Sequence, residues 1–133
     1  MKIWYDITNT PQVHFILAIK NALNETYKHD SLITTREFSE TTRLLKQKTS
    51  EPFFVIGSHK GKSKAKKLGG VFTRFSETLN KVQGFDVSIS CGSESAVWSS
   101  FVKAKKSVTF GDNDQAKQWT YGLFVSKAFF PDA

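Results

Sequence analysis

Apolar and polar positions along the chain alternate between a period of two and a period near 3.6, and the alternation repeats from one end to the other. Lys2 to Ile7 (KIWYDI) is β-branched and aromatic, which predicts a strand, and it runs into the turn formers Thr8, Asn9, Thr10 and Pro11. Val13, Ile16, Leu17, Ile19, Ala22 and Leu23 then recur at helical spacing. His29-Asp30 breaks that pattern, Ser31 to Thr35 (SLITT) predicts a second strand, and Ser39 is placed to cap a helix carrying Leu44 and Leu45. Phe53 to Ile56 (FFVI) is a short buried strand. Gly57 to Gly70 contains no large apolar residue except Leu68 and predicts a long solvated loop or a frayed helix start.

Beyond that loop, Val71, Phe72, Phe75, Leu79 and Val82 fit a helix, Phe85 to Ser90 (FDVSIS) a fourth strand, and Ala96 to Val102 the next helix. Ser107 to Phe110 is a fifth strand, Gln115 to Leu123 a further helix, and Ala128 to Phe130 a last strand. Parallel neighbours need a crossover, which each helix supplies. The expected fold is therefore α/β: a Rossmann-like three-layer sandwich around a mostly parallel six-stranded sheet. Ligands of such sheets bind outside the carboxyl ends of the strands. That directs attention to Thr8–Val13, Arg36–Phe38, Gly57–Gly70, Cys91–Ser95 and Gly111–Asp114.

Length and composition narrow the class. A chain of 133 residues is one domain, able to bury roughly two-thirds of its unfolded surface. Twelve Phe, three Trp and three Tyr exclude a disordered chain. No apolar run reaches the ~18 to 20 residues of a membrane span, and no signal peptide opens the chain, so a soluble cytoplasmic protein is expected. The single Cys91 excludes an intramolecular disulfide and agrees with a reducing compartment. Metal-ligand spacing of the His/Cys type is absent, and no cofactor is implied.

The net charge of +7 is local. Arg43, Lys46, Lys48, Lys60, Lys62, Lys64, Lys66, Lys67 and Arg74 are opposed only by Glu51, nine basic residues against one acidic, so segment 43–74 carries +8 and the remainder −1. This segment keeps open an alternative reading, a polyanion or nucleic-acid binding module. No aromatic residue interleaves Lys60 to Lys67 to stack bases, which counts against single-strand recognition.

Several residues carry candidate chemistry, each beside a plainer role. Gly57-Ser58-His59-Lys60-Gly61-Lys62-Ser63 sits where a P-loop would, but a P-loop needs one more residue between its glycines. A looser anion-binding nest, or simply a solvated basic loop, fits better. His14 follows the first turn formers; its imidazole can exchange a proton near neutral pH, or merely bond nearby backbone while Asn9 caps the helix. Cys91 lacks an assigned base and reads as a small residue in a tight turn, with Gly92-Ser93 opening the next helix. Asp112 and Asp114 could meet a hydroxyl-rich substrate or Mg2+, or serve as caps.

The segments KIWYDITNTPQVHF, LITTREFSETTRLL, VIGSHKGKSKAKKL, DVSISCGSESA and FGDNDQA resemble, in that order, an uncharacterised archaeal and bacterial family related to GT-B glycosyltransferases and UDP-N-acetylglucosamine 2-epimerases. The most specific pieces are Asp6-Ile7-Thr8-Asn9 with Pro11 and His14, and Thr35-Arg36-Glu37. The resemblance implies a two-domain cleft enzyme, with this chain as its N-terminal, acceptor-side domain, inactive alone, and a C-terminal nucleotide-sugar-binding domain absent. It implies a catalytic His14 that orients or deprotonates a hydroxyl. Asn9, Arg36, His59, Lys60, Lys62, Ser63, Gly92, Ser93 and Asp112 become substrate-binding candidates, toward a sugar nucleotide or an anionic glycosyl acceptor. Cys91 stands where a His is expected, and Lys28-His29-Asp30 where Gly-His-Glu is usual.

Overall fold

The computed structural model describes residues 1–37, 39–58, 64–91, 93–110 and 127–129. Six strands, β1 (Lys2–Ile7), β2 (Asp30–Glu37), β3 (Phe53–Ser58), β4 (Val87–Ser90), β5 (Lys106–Phe110) and β6 (Lys127–Phe129), form one sheet in the order β3-β2-β1-β4-β5-β6. Every pairing is parallel. Four helices make crossovers: α1 (Thr10–Thr26), α2 (Ser39–Lys48), α3 (Lys64–Lys81) and α4 (Glu94–Val102). The Rossmann-like sandwich expected from the alternation is the observed fold.

Strand period two divides the sheet into two unlike faces. Ile3, Tyr5, Ile7, Ile33 and Ile89 meet Val13, Ile16 and Leu17 of α1 and Leu45 of α2. On the opposite face Trp4, with Ile56 from β3, packs against Val82, Phe85 and Ala96 on the α3 and α4 side, and the Trp4 and Phe85 ring centroids lie 5.0 Å apart. The first face is mostly apolar, with the Tyr5 hydroxyl and the buried Thr35 as its polar strand groups. The second carries the polar strand residues Thr34, Asp6, Ser88 and Ser90, all buried. Serines also let α4 approach closely: Ser100 Oγ donates to Ser88 Oγ at 2.8 Å.

Element boundaries differ from the sequence reading in instructive ways. Helix α3 begins at Lys64, so the second half of the stretch expected to be a long loop or a frayed helix start is helix, as the good helix formers Lys64-Ala65-Lys66-Lys67-Leu68 outweigh Gly69-Gly70. Strand β2 runs on to Glu37, where it pairs with Ser58 across a register shift. Strand β4 starts at Val87 rather than Phe85, whose ring is committed to Trp4. Helix α2 begins at Ser39 itself. The helix expected over 115–123 lies outside the described residues.

Two buried polar side chains, Lys20 and Tyr5, are placed with partners. Lys20 of α1 is 4% exposed and reaches Glu51 at 2.5 Å. Tyr5 shares a 2.7 Å hydrogen bond with His29 Nε2. Burial, helped by the charge of Glu51, pushes the Tyr5 phenol well above its ordinary range. Helix α4 ends in a turn where Ala104 sits at φ 57, the left-handed region, with Lys105 N–H donating to Ser100 C=O at 2.7 Å. A Cβ is strained there, so Ala104→Gly is expected to raise stability by about 0.5 to 1 kcal/mol. A urea melt checks this: an unchanged or lowered midpoint would contradict the strain.

Candidate functional site

Asp6 lies near the carboxyl end of β1 with 0% exposure. A lone carboxylate there would be costly, and four donors saturate it. Oδ1 accepts from Thr34 Oγ1 at 2.7 Å and from Arg74 Nη2 at 2.7 Å; Oδ2 accepts from Arg74 Nη1 at 2.9 Å and from Ser93 Oγ at 2.5 Å. Arg74 Nε donates in turn to Ile56 C=O at 2.9 Å, and Trp4 Nε1 donates to Thr34 Oγ1 at 2.7 Å. One ion pair thus ties β1 to β2, β3, α3 and the start of α4. Burial alone would raise the Asp6 pKa, but the Arg74 charge and the hydrogen bonds from Arg74, Ser93 and Thr34 outweigh it and hold the carboxyl below its ordinary range.

The pair lies beside the place where strand order reverses. From β1 the chain pairs outward to β2 and β3, then returns to add β4 on the other side of β1. Helices α1 and α4 leave β1 and β4 toward opposite faces, which makes this junction the switch point at which open parallel sheets form a binding crevice. Gln12 spans this crevice. Its Oε1 accepts from Thr8 N–H and Thr8 Oγ1, both at 3.0 Å, and its Nε2 donates to Cys91 C=O at 3.1 Å. Asn9 Oδ1 accepts from Gln12 N–H at 3.3 Å and caps α1; Ser93 Oγ accepts from Ala96 N–H at 3.2 Å and caps α4. Both cleft-facing helix starts are held by side chains from their own loops.

The comparisons with known proteins agree with this geometry. Residues 1–117 match the family described as "Protein of unknown function (DUF354)". The chain belongs to the DUF354 family. No curated protein matches it in sequence. Among solved structures it is similar to MurG of Acinetobacter baumannii, with a TM-score of 0.73 and 12% identity over 100% of this chain and 42% of that one. It is also similar to a UDP-N-acetylglucosamine 2-epimerase, with a TM-score of 0.76 and 12% identity over 98% of this chain and 40% of the other. The DUF354 chain therefore has the fold of a GT-B-like Rossmann domain and spans about two-fifths of the length of these neighbours.

Of the residues singled out by sequence, the DUF354 structure brings Asn9, Arg36 and Ser93 to one sheet edge. His14 stands exposed on α1, in the second turn of a helix that begins at Thr10. Ser93 does not line the crevice with its hydroxyl: it is 3% exposed, donating to Asp6 and capping α4. Arg74, counted within the basic segment, is 4% exposed and bound to Asp6, so it offers no charge to an external polyanion. His59, Lys60, Lys62, Ser63, Gly92 and Asp112 lie outside the described residues. Among the described residues no group of three His, Cys, Asp or Glu side chains could hold a metal ion, and no helix is long and apolar enough to cross a membrane.

The sequence reading missed Asp6, Gln12, Thr34 and Arg74 as parts of this edge. Only Asp6 carried a signal, a carboxylate inside an otherwise apolar strand end. Phe15, 45% exposed on α1, also escaped notice; it meets Phe110 at the carboxyl end of β5 edge-on, centroids 5.2 Å apart, and gives the edge an aromatic flank next to His14.

Removing either partner of the ion pair strands the other as an uncompensated buried charge. Asp6→Asn and Arg74→Met are each expected to lose about 3 to 5 kcal/mol of stability, with the double variant less destabilised than their sum. Because the folded-state pKa of Asp6 is depressed, its contribution is complete above the unfolded value of 3.8 and disappears as pH falls through the folded value. Acid titrations of stability should show that loss in the parent and a shallower one in Asp6→Asn. Equal acid slopes would contradict the assignment.

Proposed function

We propose that this chain forms the acceptor-side half of a GT-B-type glycosyltransferase or sugar-nucleotide epimerase-like enzyme, whose cleft is completed by a second, nucleotide-sugar-binding domain. The observation that carries this reading is the crevice at the strand-order reversal between β1 and β4, rimmed by Thr8, Asn9 and Gln12 on one side and by Cys91 and Ser93 on the other. Its floor is built on the Asp6 carboxylate, whose two oxygens are saturated by Thr34, Arg74 and Ser93, which suits a site that must hold a hydroxylated substrate without collapsing. The fold shared with MurG and the epimerase over nearly the whole chain supports the class of enzyme.

Within this reading His14 is the catalytic group. It is exposed on α1, and in the completed cleft it would take a proton from an acceptor hydroxyl or orient it. Asn9 spends its carbonyl on the α1 cap and keeps its amide N–H groups for a substrate oxygen. Lys60 and Lys62, with His59 and Ser63, would bring the basic loop to anionic groups of acceptor or donor. Gly92 and Asp112 would line the fourth and fifth strand ends. Ser93 supports the site through Asp6 and the α4 cap rather than by touching substrate.

Titration of the isotope-labelled chain with UDP-N-acetylglucosamine tests the location. Amide shifts are expected to concentrate at 8–14, 36 and 93–96, and the sugar nucleotide should remain unconsumed by this chain alone. Shifts concentrated instead at the opposite end of the sheet, around 27–30 and 83–86, would refute the cleft. Turnover at an ordinary enzymatic rate by the 133 residues would refute the half-enzyme reading.

A further inference from the structure

Among the described residues at this edge two buried polar atoms lack a hydrogen-bond partner, Ser90 Oγ and Arg36 Nε, and of the two only Arg36 carries a charge. Arg36 follows Thr35 at the carboxyl end of β2, opposite a register shift: Thr35 pairs with Val55 and Glu37 with Ser58, so Ile56 and Gly57 together oppose Arg36. Such a bulge in the neighbouring strand re-aims the side chain it faces, and bulges of this kind cluster beside functional sites. Strand alternation sends Arg36 to the same sheet face as Thr34 and Asp6. Its Nε is buried and donates to no acceptor among the described residues.

The surroundings explain why no protein acceptor serves it. Both oxygens of Asp6 are already taken, by Thr34, Ser93 and the two Nη atoms of Arg74. Burial, then the like charge of Arg74, lowers the pKa of Arg36, while Asp6 and Glu94 act in the opposite sense. A half-buried guanidinium with an unsatisfied Nε is a standing cost to the fold, and buried polar groups are nearly always bonded. The free Nε edge of a guanidinium presents two parallel donors spaced for two oxygens of one oxyanion.

We infer that Arg36 is the receptor for a phosphate group of the substrate, bound side-on at the carboxyl end of β2 next to the Asp6–Arg74 pair. The inference rests on the cleft reading given above but on neither the sugar nor the direction of the reaction. A tetrahedral dianion suits the place better than a carboxylate. It can accept from Arg36 and still turn a third oxygen toward the crevice, and its greater charge offsets the repulsion between Arg36 and Arg74. The neutralised ion pair beneath supplies rigidity without competing for the ligand.

The test uses thermal melts of the full 133-residue chain in inorganic phosphate, pyrophosphate and acetate, at constant ionic strength. Phosphate and pyrophosphate at ten times their Kd are expected to raise Tm by about 3 to 6 °C, and acetate is expected to leave it unchanged. Arg36→Gln should weaken phosphate binding about 10- to 100-fold, and Arg36→Lys, which keeps the charge but loses the fork, should weaken it by less. In phosphate-free buffer Arg36→Gln should match or exceed the parent Tm, because an uncompensated cation has been removed. Arg43→Gln, an exposed charge on α2, should retain the full phosphate response.

Four results would overturn the inference: no phosphate response in the parent, an undiminished response in Arg36→Gln, an equal response to acetate, or a phosphate-free Tm of Arg36→Gln lowered as far as that of Arg74→Met. The last would make Arg36 a structural cation. None of these bears on where UDP-N-acetylglucosamine shifts fall, so the phosphate receptor and the cleft can fail separately.

Discussion

A carboxylate completely removed from water must be matched or the fold fails, and in this protein Asp6 sets that condition for everything around it. Its four donors come from β2, α3 and the loop before α4, and Arg74 passes the connection on to β3 through the Ile56 carbonyl. The strands thus meet at one charge pair as well as along their backbone ladders. A hydrophobic contact tolerates sliding; a bidentate guanidinium–carboxylate pair does not. The carboxyl ends of β1 to β4 are consequently fixed relative to one another, which is the property a cleft floor needs.

That requirement also accounts for the unequal faces of the sheet. Under α1 and α2 the strands offer isoleucines, whose packing supplies burial but little orientation. Under α3 and α4 they offer Thr34, Asp6, Ser88 and Ser90, and the helices answer with Arg74, Ser93 and Ser100. Small hydroxylated residues let α4 lie close to the sheet and keep its N-terminus level with the end of β4. The stabilising layer and the site-forming layer are on opposite sides of one sheet, and the crevice opens between them at the β1–β4 junction.

Much of the fold was legible in the sequence, because hydrophobic period reports directly which residues face a core. The strand at KIWYDI and the helix on Val13, Ile16 and Leu17 follow from spacing alone, and Asn9 as cap follows from its place before the periodic run. The start of α3 was only half legible, since charged helix formers argue for helix and a Gly pair against it, which left a loop or a frayed helix start open. The site was legible less evenly. Arg36, Asn9 and His14 became site candidates through a family resemblance, whereas Arg74 was read as one more charge in a basic run.

The sequence by itself determined the alternation of strands and helices, and hence a parallel sheet with its functional edge at the strand ends, because period and turn chemistry are local properties. Only the tertiary structure decided which charges are partners. Asp6 and Arg74 lie 68 residues apart, and Asp6 and Ser93 lie 87 apart. No local pattern links residues at such separations; they meet because strand order reverses at β1 and brings α3 and α4 over the same few side chains. The same reversal leaves Arg36 beside a saturated carboxylate, a half-buried cation whose Nε meets no acceptor among the described residues.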